Sequence, residues 1–197
     1  GGLTFINNPD YENKKSYSIV AEVFDGNFTT SQNVSISIIN LNDNIPLITS
    51  NNSFAVDENE VEIGTVSATD ADGDSIVFSI SGTDANTLDI NPNSGLMSFK
   101  TAPDYENKTS YEIIISASDG LNTSSQAATI NIVNINDNAP QLTSPTTFNV
   151  NENTLEIATL NADDADGDSF TFALSGTDAS ALNLNSSTGL LSFKTLS

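Results

Sequence analysis

The feature that most constrains this chain is an internal repeat. Pro9-Asp10-Tyr11-Glu12-Asn13 returns as Pro103-Asp104-Tyr105-Glu106-Asn107. Asn42-Asp43-Asn44 returns as Asn136-Asp137-Asn138, each followed two residues later by proline, Pro46 or Pro140. Asp70-Ala71-Asp72-Gly73-Asp74 returns as Asp164-Ala165-Asp166-Gly167-Asp168, and Glu58-Asn59 as Glu152-Asn153. Every pair is separated by 94 residues. A fixed period without insertions means that one structural unit is stacked in tandem. Taking Pro46 and Pro140 as unit ends, residues 47–140 form one whole repeat. Residues 1–46 form the back of an earlier one, and residues 141–197 the front of a later one.

Within the whole repeat the apolar residues alternate. Phe54 and Val56 are followed by Val66 and Ala68, then Ile76, Phe78 and Ile80, then Leu88 and Ile90, then Met97 and Phe99. Tyr111, Ile113, Ile115 and Ala117 come next, then Ala128, Ile130 and Ile132. Period-two alternation bounded by Gly, Asn, Asp and Pro predicts seven short strands and an all-β fold. Seven strands in one repeat suit a sandwich of two sheets. By the same count residues 1–46 carry the last three strands and residues 141–197 the first five.

The 197-residue chain carries 26 acidic residues against five lysines, for a formal charge of −21, with no arginine, histidine or cysteine. Nucleic acid is excluded as a partner, because its recognition needs a basic surface. Zinc and copper sites built on Cys or His, and nucleophiles that need either, are excluded with it. No apolar run is long enough for a membrane span, so direct membrane contact is not expected of this segment, and neither is a signal peptide.

Many carboxylates fall in turns at strand ends. Glu58 follows the first strand, and Asp70 and Asp72 the second. Asp104 and Glu106 precede the sixth, Asp119 follows it, and Asp137 lies in the connector. In a sandwich the turns occupy two poles. Glu58, Asp104, Glu106 and Asp137 can share one, and Asp70, Asp72 and Asp119 the other. End-to-end stacking brings the two groups together, and several carboxylates so close repel unless a cation joins them. A large, irregular set of oxygen donors favours calcium over magnesium.

These pieces resemble the cadherin repeat. They are Phe54-x-Val56-x-Glu58-Asn59, Ala68-Thr69-Asp70-Ala71-Asp72, Asp104-Tyr105-Glu106, Ala117-Ser118-Asp119-Gly120 and Asn136-Asp137-Asn138-Ala139-Pro140. They occur in that family's order and spacing. The resemblance implies tandem seven-stranded Greek-key β-sandwiches of immunoglobulin-like architecture, with two or three Ca2+ ions at each junction. The implied ligands at the first junction are Asp10, Glu12, Asn42, Asp43, Asn44, Asp70, Asp72 and Asp119. At the second they are Glu58, Asp104, Glu106, Asn136, Asp137, Asn138, Asp164 and Asp166. The family's connector opens with Asp, whereas this chain has Asn40 and Asn134, a loss that should weaken one ion. The Asn- and Ser-rich, arginine-free composition looks like the cadherin-like arrays of large bacterial surface adhesins.

The function implied is a calcium-rigidified extender or adhesion repeat of a secreted or cell-surface protein, not an enzyme. A calcium-dependent module binding carbohydrate, polysaccharide or a surface protein is the alternative. Other copies of the same chain are expected partners, including by strand exchange between the partial terminal repeats. Two competing readings of the acidic loops fail. An EF-hand loop places Gly sixth and Glu twelfth, whereas Gly73 is fourth and the twelfth position is Ser81. Glycosidase carboxylates are not expected once per repeat. Asp74 and Asp168 have no role in the resemblance and read as solvated turn residues. The Asn-x-Ser/Thr sequons at Asn27, Asn33, Asn51, Asn107, Asn122 and Asn185 arise by chance in so Asn-, Ser- and Thr-rich a chain.

Overall fold

The computed structural model describes residues 2–195. The chain divides into two compact units, Gly1–Pro103 with Ser110–Ile132, and Asp104–Thr109 with Val133–Ser197.

The first unit opens with a hairpin of β1 (Ser16–Phe24) and β2 (Thr29–Ser37), paired in register from Ser16↔Ser37 to Phe24↔Thr29. The whole repeat follows as β3 (Leu47–Ile48), β4 (Ser53–Asp57), β5 (Glu62–Thr65), β6 (Ala68–Thr69) and β7 (Val77–Ser81). It continues with β8 (Leu88–Ile90), β9 (Leu96–Phe99), β10 (Ser110–Ser118) and β11 (Thr123–Val133). One sheet has the order β4-β11-β10-β7, and the other β5-β9-β8. This strand order is that of a Greek-key sandwich.

The core is the inward period of these strands. Val56, Val66, Phe78, Leu88, Met97, Phe99, Ile113, Ile115, Ala117, Ala128, Ile130 and Ile132 are all buried, as the alternation predicts, and Ile63 joins them. Val77 and Ile114, which lie out of phase, are exposed. Phe99 and Tyr111 meet edge to face at 4.9 Å between ring centroids.

The expected strand through Val66 and Ala68 is divided. Val66 donates its N–H to Gly95 O at 2.9 Å, in line with the β5 side. Ser67 O instead accepts the N–H groups of Thr49 and Ser50, and β6 pairs with β3. The chain therefore leaves one sheet within two residues, and the start of the whole repeat anchors the loop that carries Asp70 and Asp72. Gly95 makes the tight approach possible. Its φ is +72°, and a Cβ there would lie 2.2 Å from Val66 O.

The second unit contains β12 (Gln141–Leu142), β13 (Glu156–Thr159), β14 (Ala162–Asp163), β15 (Leu182–Leu184) and β16 (Leu190–Phe193). β12 pairs with β14, and β13-β16-β15 form a three-stranded sheet. Residues 147–151 and 171–175, the repeat counterparts of β4 and β7, are not strands. In the whole repeat those two strands pair with β11 and β10. Likewise residues 2–5, the counterpart of β9, stay outside any strand, so the described residues of the leading partial repeat form two strands rather than three. Among the described residues no helix is long and apolar enough to cross a membrane.

Candidate metal centre

The acidic clusters are built by turns whose backbone amides are tied to the carboxylates. In the first unit, Asp72 sits in the loop after β6, where Gly73 takes φ +81°, a left-handed turn that L side chains rarely adopt. Asp72 is 9 % exposed. Its Oδ2 accepts the N–H groups of Asp43 at 3.0 Å and Asn44 at 2.8 Å, and its Oδ1 accepts Asn44 Nδ2 at 2.8 Å. The connector is thereby fastened to the following repeat by one side chain. Burial pushes the Asp72 carboxyl up, but the Asn44 amides and the Asp43 N–H outweigh it and hold it below the ordinary range.

Around Asp72 the charge is dense. Glu12, Asp43 and Asp72 bring carboxylate oxygens within 4.8 Å of one another, and so do Asp70, Asp72 and Asp74. Asp72 belongs to both groups. Asp70 Oδ1 accepts the Asp74 N–H at 3.2 Å, whereas Asp70 Oδ2 is buried with no hydrogen-bond partner. Burial, then the charges of Asp70, Asp72 and Asp119, raise the Asp74 carboxyl. For Glu12 its own backbone hydrogen bond acts downward, but burial and the Asp10 and Asp72 carboxylates raise it overall.

Asp119 lies in the β10–β11 turn and accepts the N–H groups of Leu121 at 2.7 Å and Asn122 at 2.6 Å. Burial pushes its carboxyl up, and the amides of Asn122, Leu121 and Asn42 bring it below the usual value. Asn122 Nδ2 reaches Asn42 Oδ1 at 3.1 Å and Asn44 O at 3.3 Å, linking this turn to the connector.

The second unit repeats the arrangement. Asp166 Oδ2 accepts the N–H groups of Asp137 at 3.1 Å and Asn138 at 2.8 Å, and Oδ1 accepts Asn138 Nδ2 at 2.8 Å. Asn138 Nδ2 also approaches Glu106 Oε2 at 3.4 Å. Glu106, Asp137 and Asp166 form one close group, and Asp164, Asp166 and Asp168 another. The Asn138 side chain, working against burial, keeps the Asp166 carboxyl below its ordinary value.

The structure thus gathers Glu12, Asp43, Asp70 and Asp72 in the first unit, and Glu106, Asp137, Asp164 and Asp166 in the second. Asn42, Asn44 and Asn138 serve these clusters through amide and carbonyl groups. Asp10 and Asp104 are exposed, and each accepts N–H groups of its own turn, from Glu12 and Asn13 and from Asn107. Asn136 is exposed, and Glu58, at the end of β4 in the first unit, is 2 % exposed.

Three findings add to or differ from what the sequence suggests. Asp74 and Asp168 are exposed in their turns, as expected, and each also belongs to a close acidic group. Asn40 and Asn134 are not simply lost carboxylates. Their Nδ2 atoms donate to the backbone carbonyls of Asp72 at 2.8 Å and Asp166 at 2.7 Å, which an ionised Asp could not do. Asn122, in sequence only a chance sequon, bridges turn and connector through contacts some 80 residues away in the chain. The donor set suits a hard cation. It is all oxygen, from carboxylates and carbonyls, and it includes a buried carboxylate oxygen without a partner.

The family profile of the cadherin domain matches residues 52–136. The chain is 36 % identical over 153 residues to Protocadherin Fat 4 of Homo sapiens, covering 71 % of this chain and 3 % of that protein. It is 34 % identical over 157 residues to Protocadherin-11 X-linked of Sus scrofa, covering 74 % of this chain and 14 % of that protein. The chain therefore spans a small part of these relatives' length. Among solved structures, it superposes on mouse Cadherin-23 EC22-24 with a TM-score of 0.72 at 25 % identity, covering 95 % of this chain and 67 % of that one. The Protocadherin gammaB7 EC3-6 cis-dimer structure gives a TM-score of 0.80 at 20 % identity, covering 95 % and 52 %. These relatives are animal cadherins, and they do not support the bacterial-adhesin reading of the composition.

Proposed function

The chain belongs to the cadherin family, and on that premise we propose that it is a calcium-stiffened extender of an extracellular, cell-surface adhesion protein. Cadherin domains bind Ca2+ as a class, and proteins of this family are adhesion proteins rather than enzymes. The proposed repeat boundaries are residues 1–46, 47–140 and 141–197.

The observation that carries the reading is the doubly shared Asp72 cluster. Glu12 and Asp43 come from one repeat, and Asp70, Asp72 and Asp74 from the next, yet all lie in one compact unit. The residues that would hold ions at the first junction are Asp10, Glu12, Asn42, Asp43, Asn44, Asp70, Asp72 and Asp119. At the second they are Glu58, Asp104, Glu106, Asn136, Asp137, Asn138, Asp164 and Asp166. Bound there, Ca2+ supplies positive charge and shared coordination to carboxylates that otherwise repel. Six such ions, three to a junction, would bring the formal charge of −21 to about −9.

The chain's own part is positional. Asp72 and Asp166 clamp the connector through three N–H donors each, which presents the Asp43 and Asp137 carboxylates to the same space. Asn40 and Asn134 hold the backbone of the acidic loop from the connector side. Without cations, mutual repulsion of these groups loosens the link between neighbouring repeats. With them, relative motion is lost and the native state gains stability by mass action.

Calorimetric titration should give four to six Ca2+ ions per chain, bound at about 10⁻⁴–10⁻³ M. The scattering profile should change, and the melting temperature should rise, between chelator and millimolar calcium. Identical profiles and melting temperatures in the two buffers would overturn the reading.

A further inference from the structure

We propose that Asn122 is a positioning residue of the first junction, whose side-chain amide holds the connector against the β10–β11 turn and so sets how tightly that junction takes Ca2+. The inference rests on the calcium reading and gives a part in it to a residue outside the implied ligand set. Asn122 is half-buried, and its Nδ2 faces three oxygens. These are Asn42 Oδ1 at 3.1 Å, Asn44 O at 3.3 Å and Asp119 Oδ2 at 3.4 Å. A backbone carbonyl and an ionised carboxylate only accept, so the side chain is fixed with its nitrogen toward them. All three oxygens belong to residues of the implied ligand set. Asn122 presents N–H groups to them, and it therefore orders them by donation.

The turn itself does not need this amide. Asp119 Oδ1 builds it by accepting the N–H groups of Leu121 and Asn122. The β1–β2 turn is built in the same way, with Asp25 Oδ1 accepting the N–H groups of Asn27 at 2.9 Å and Phe28 at 2.8 Å. By the repeat spacing, Phe28 stands where Asn122 does. The same turn thus forms around a side chain with no donor at all. The Asn122 amide is left to serve the connector.

The connector has two ties in this unit. Asp72 and Asn40 fasten it to the acidic loop, and Asn122 fastens it to the β10–β11 turn. With the amide removed, the first tie stays and the second is lost. Asn42, Asn44 and Asp119 then no longer share one fixed space, and they must be ordered when the ion binds. Partners that orient metal ligands are worth about 10–100-fold in affinity.

The test is Asn122→Ala in the full chain, read in two arms. In calcium, calorimetric titration should divide into two classes of ion. Those of the first junction should weaken about tenfold, and those of the second should keep their affinity. In chelator, hydrogen exchange followed by NMR should quicken about tenfold at the Asp43 and Asn44 amides of the connector. It should stay unchanged at Ile115 and Ile130, which are fully buried in β10 and β11. A merely structural role would quicken the core amides together with the connector. Asn122→Asp keeps the shape, removes both donors and sets a carboxylate against three oxygens. In chelator it should quicken connector exchange at least as much as Asn122→Ala. Unchanged calcium affinity, unchanged connector exchange, core amides that quicken equally, or Asn122→Asp behaving as the unsubstituted chain would each overturn the proposal. So would failure of Asn122→Ala to fold, since the role would then be structural. If the unsubstituted chain takes up no calcium, the calcium reading falls, and the chelator arm still decides whether the amide positions the connector.

Discussion

At the scale of the residue, the acidic groups divide by what surrounds them. Asp25, Asp72, Asp119 and Asp166 each accept backbone amides and titrate below the ordinary carboxylate range. Glu12 and Asp74 lie against other carboxylates and titrate above it. The two sets act on stability with opposite sign. A depressed pKa adds stability that is present above the unfolded value and is lost as pH falls through the folded one. A raised pKa marks a charge that costs stability at neutral pH and relieves it on acidification. In chelator, the melting temperature should therefore rise slightly from neutral to mildly acidic pH, and fall below about pH 4. A pH series of thermal melts measures this. Asp74→Asn separates the roles further. It should raise the melting temperature in chelator by removing like-charge repulsion, and shrink the gain produced by calcium. An unchanged melting temperature in chelator would return Asp74 to the status of a solvated turn residue. Asp70, Asp72 and their counterparts were legible in the sequence because the motif is local and duplicated. The roles of Asn40 and Asn122 were not, because an amide that bridges to a distant carbonyl leaves no local pattern.

At the scale of the element, most strands were legible from alternation alone, since a half-buried strand must repeat every two residues. The exception was the segment from Ile63 to Thr69. Its apolar pattern continues across the point where the chain changes hydrogen-bonding partners, from β9 to β3. Alternation reports burial, not which strand supplies the ladder. The close approach of Gly95 to Val66 O belongs to this same crossing. Gly95→Ala should destabilise the whole repeat by at least about 2 kcal/mol in urea unfolding, through a forced positive φ and a backbone clash. Gly73→Ala, with a positive φ but no atom within 4 Å of the added Cβ, should cost less, about 1 kcal/mol. If the two substitutions cost the same, the steric part of the argument fails.

At the scale of the whole molecule, net charge governs how the chain responds to its solvent. A formal −21 on 197 residues, with only five lysines to offset it, destabilises the folded state through self-repulsion. Raising monovalent salt in chelator should therefore raise the melting temperature, and the increment should shrink once calcium is present. Parallel salt series with and without calcium measure the difference. The sequence by itself determined the repeat, the all-β architecture, the oxygen-only chemistry of the acidic turns and the family resemblance. Each follows from local spacing and residue type, and the duplication makes each visible twice. Only the tertiary structure decided which carboxylates meet, that Asn44 and Asn138 tie connector to loop, and that the counterparts of β4 and β7 fail to form strands in the trailing repeat. A strand becomes a strand through the neighbour it pairs with, and a site becomes a site through residues that are far apart in the chain, so neither is written in any one segment.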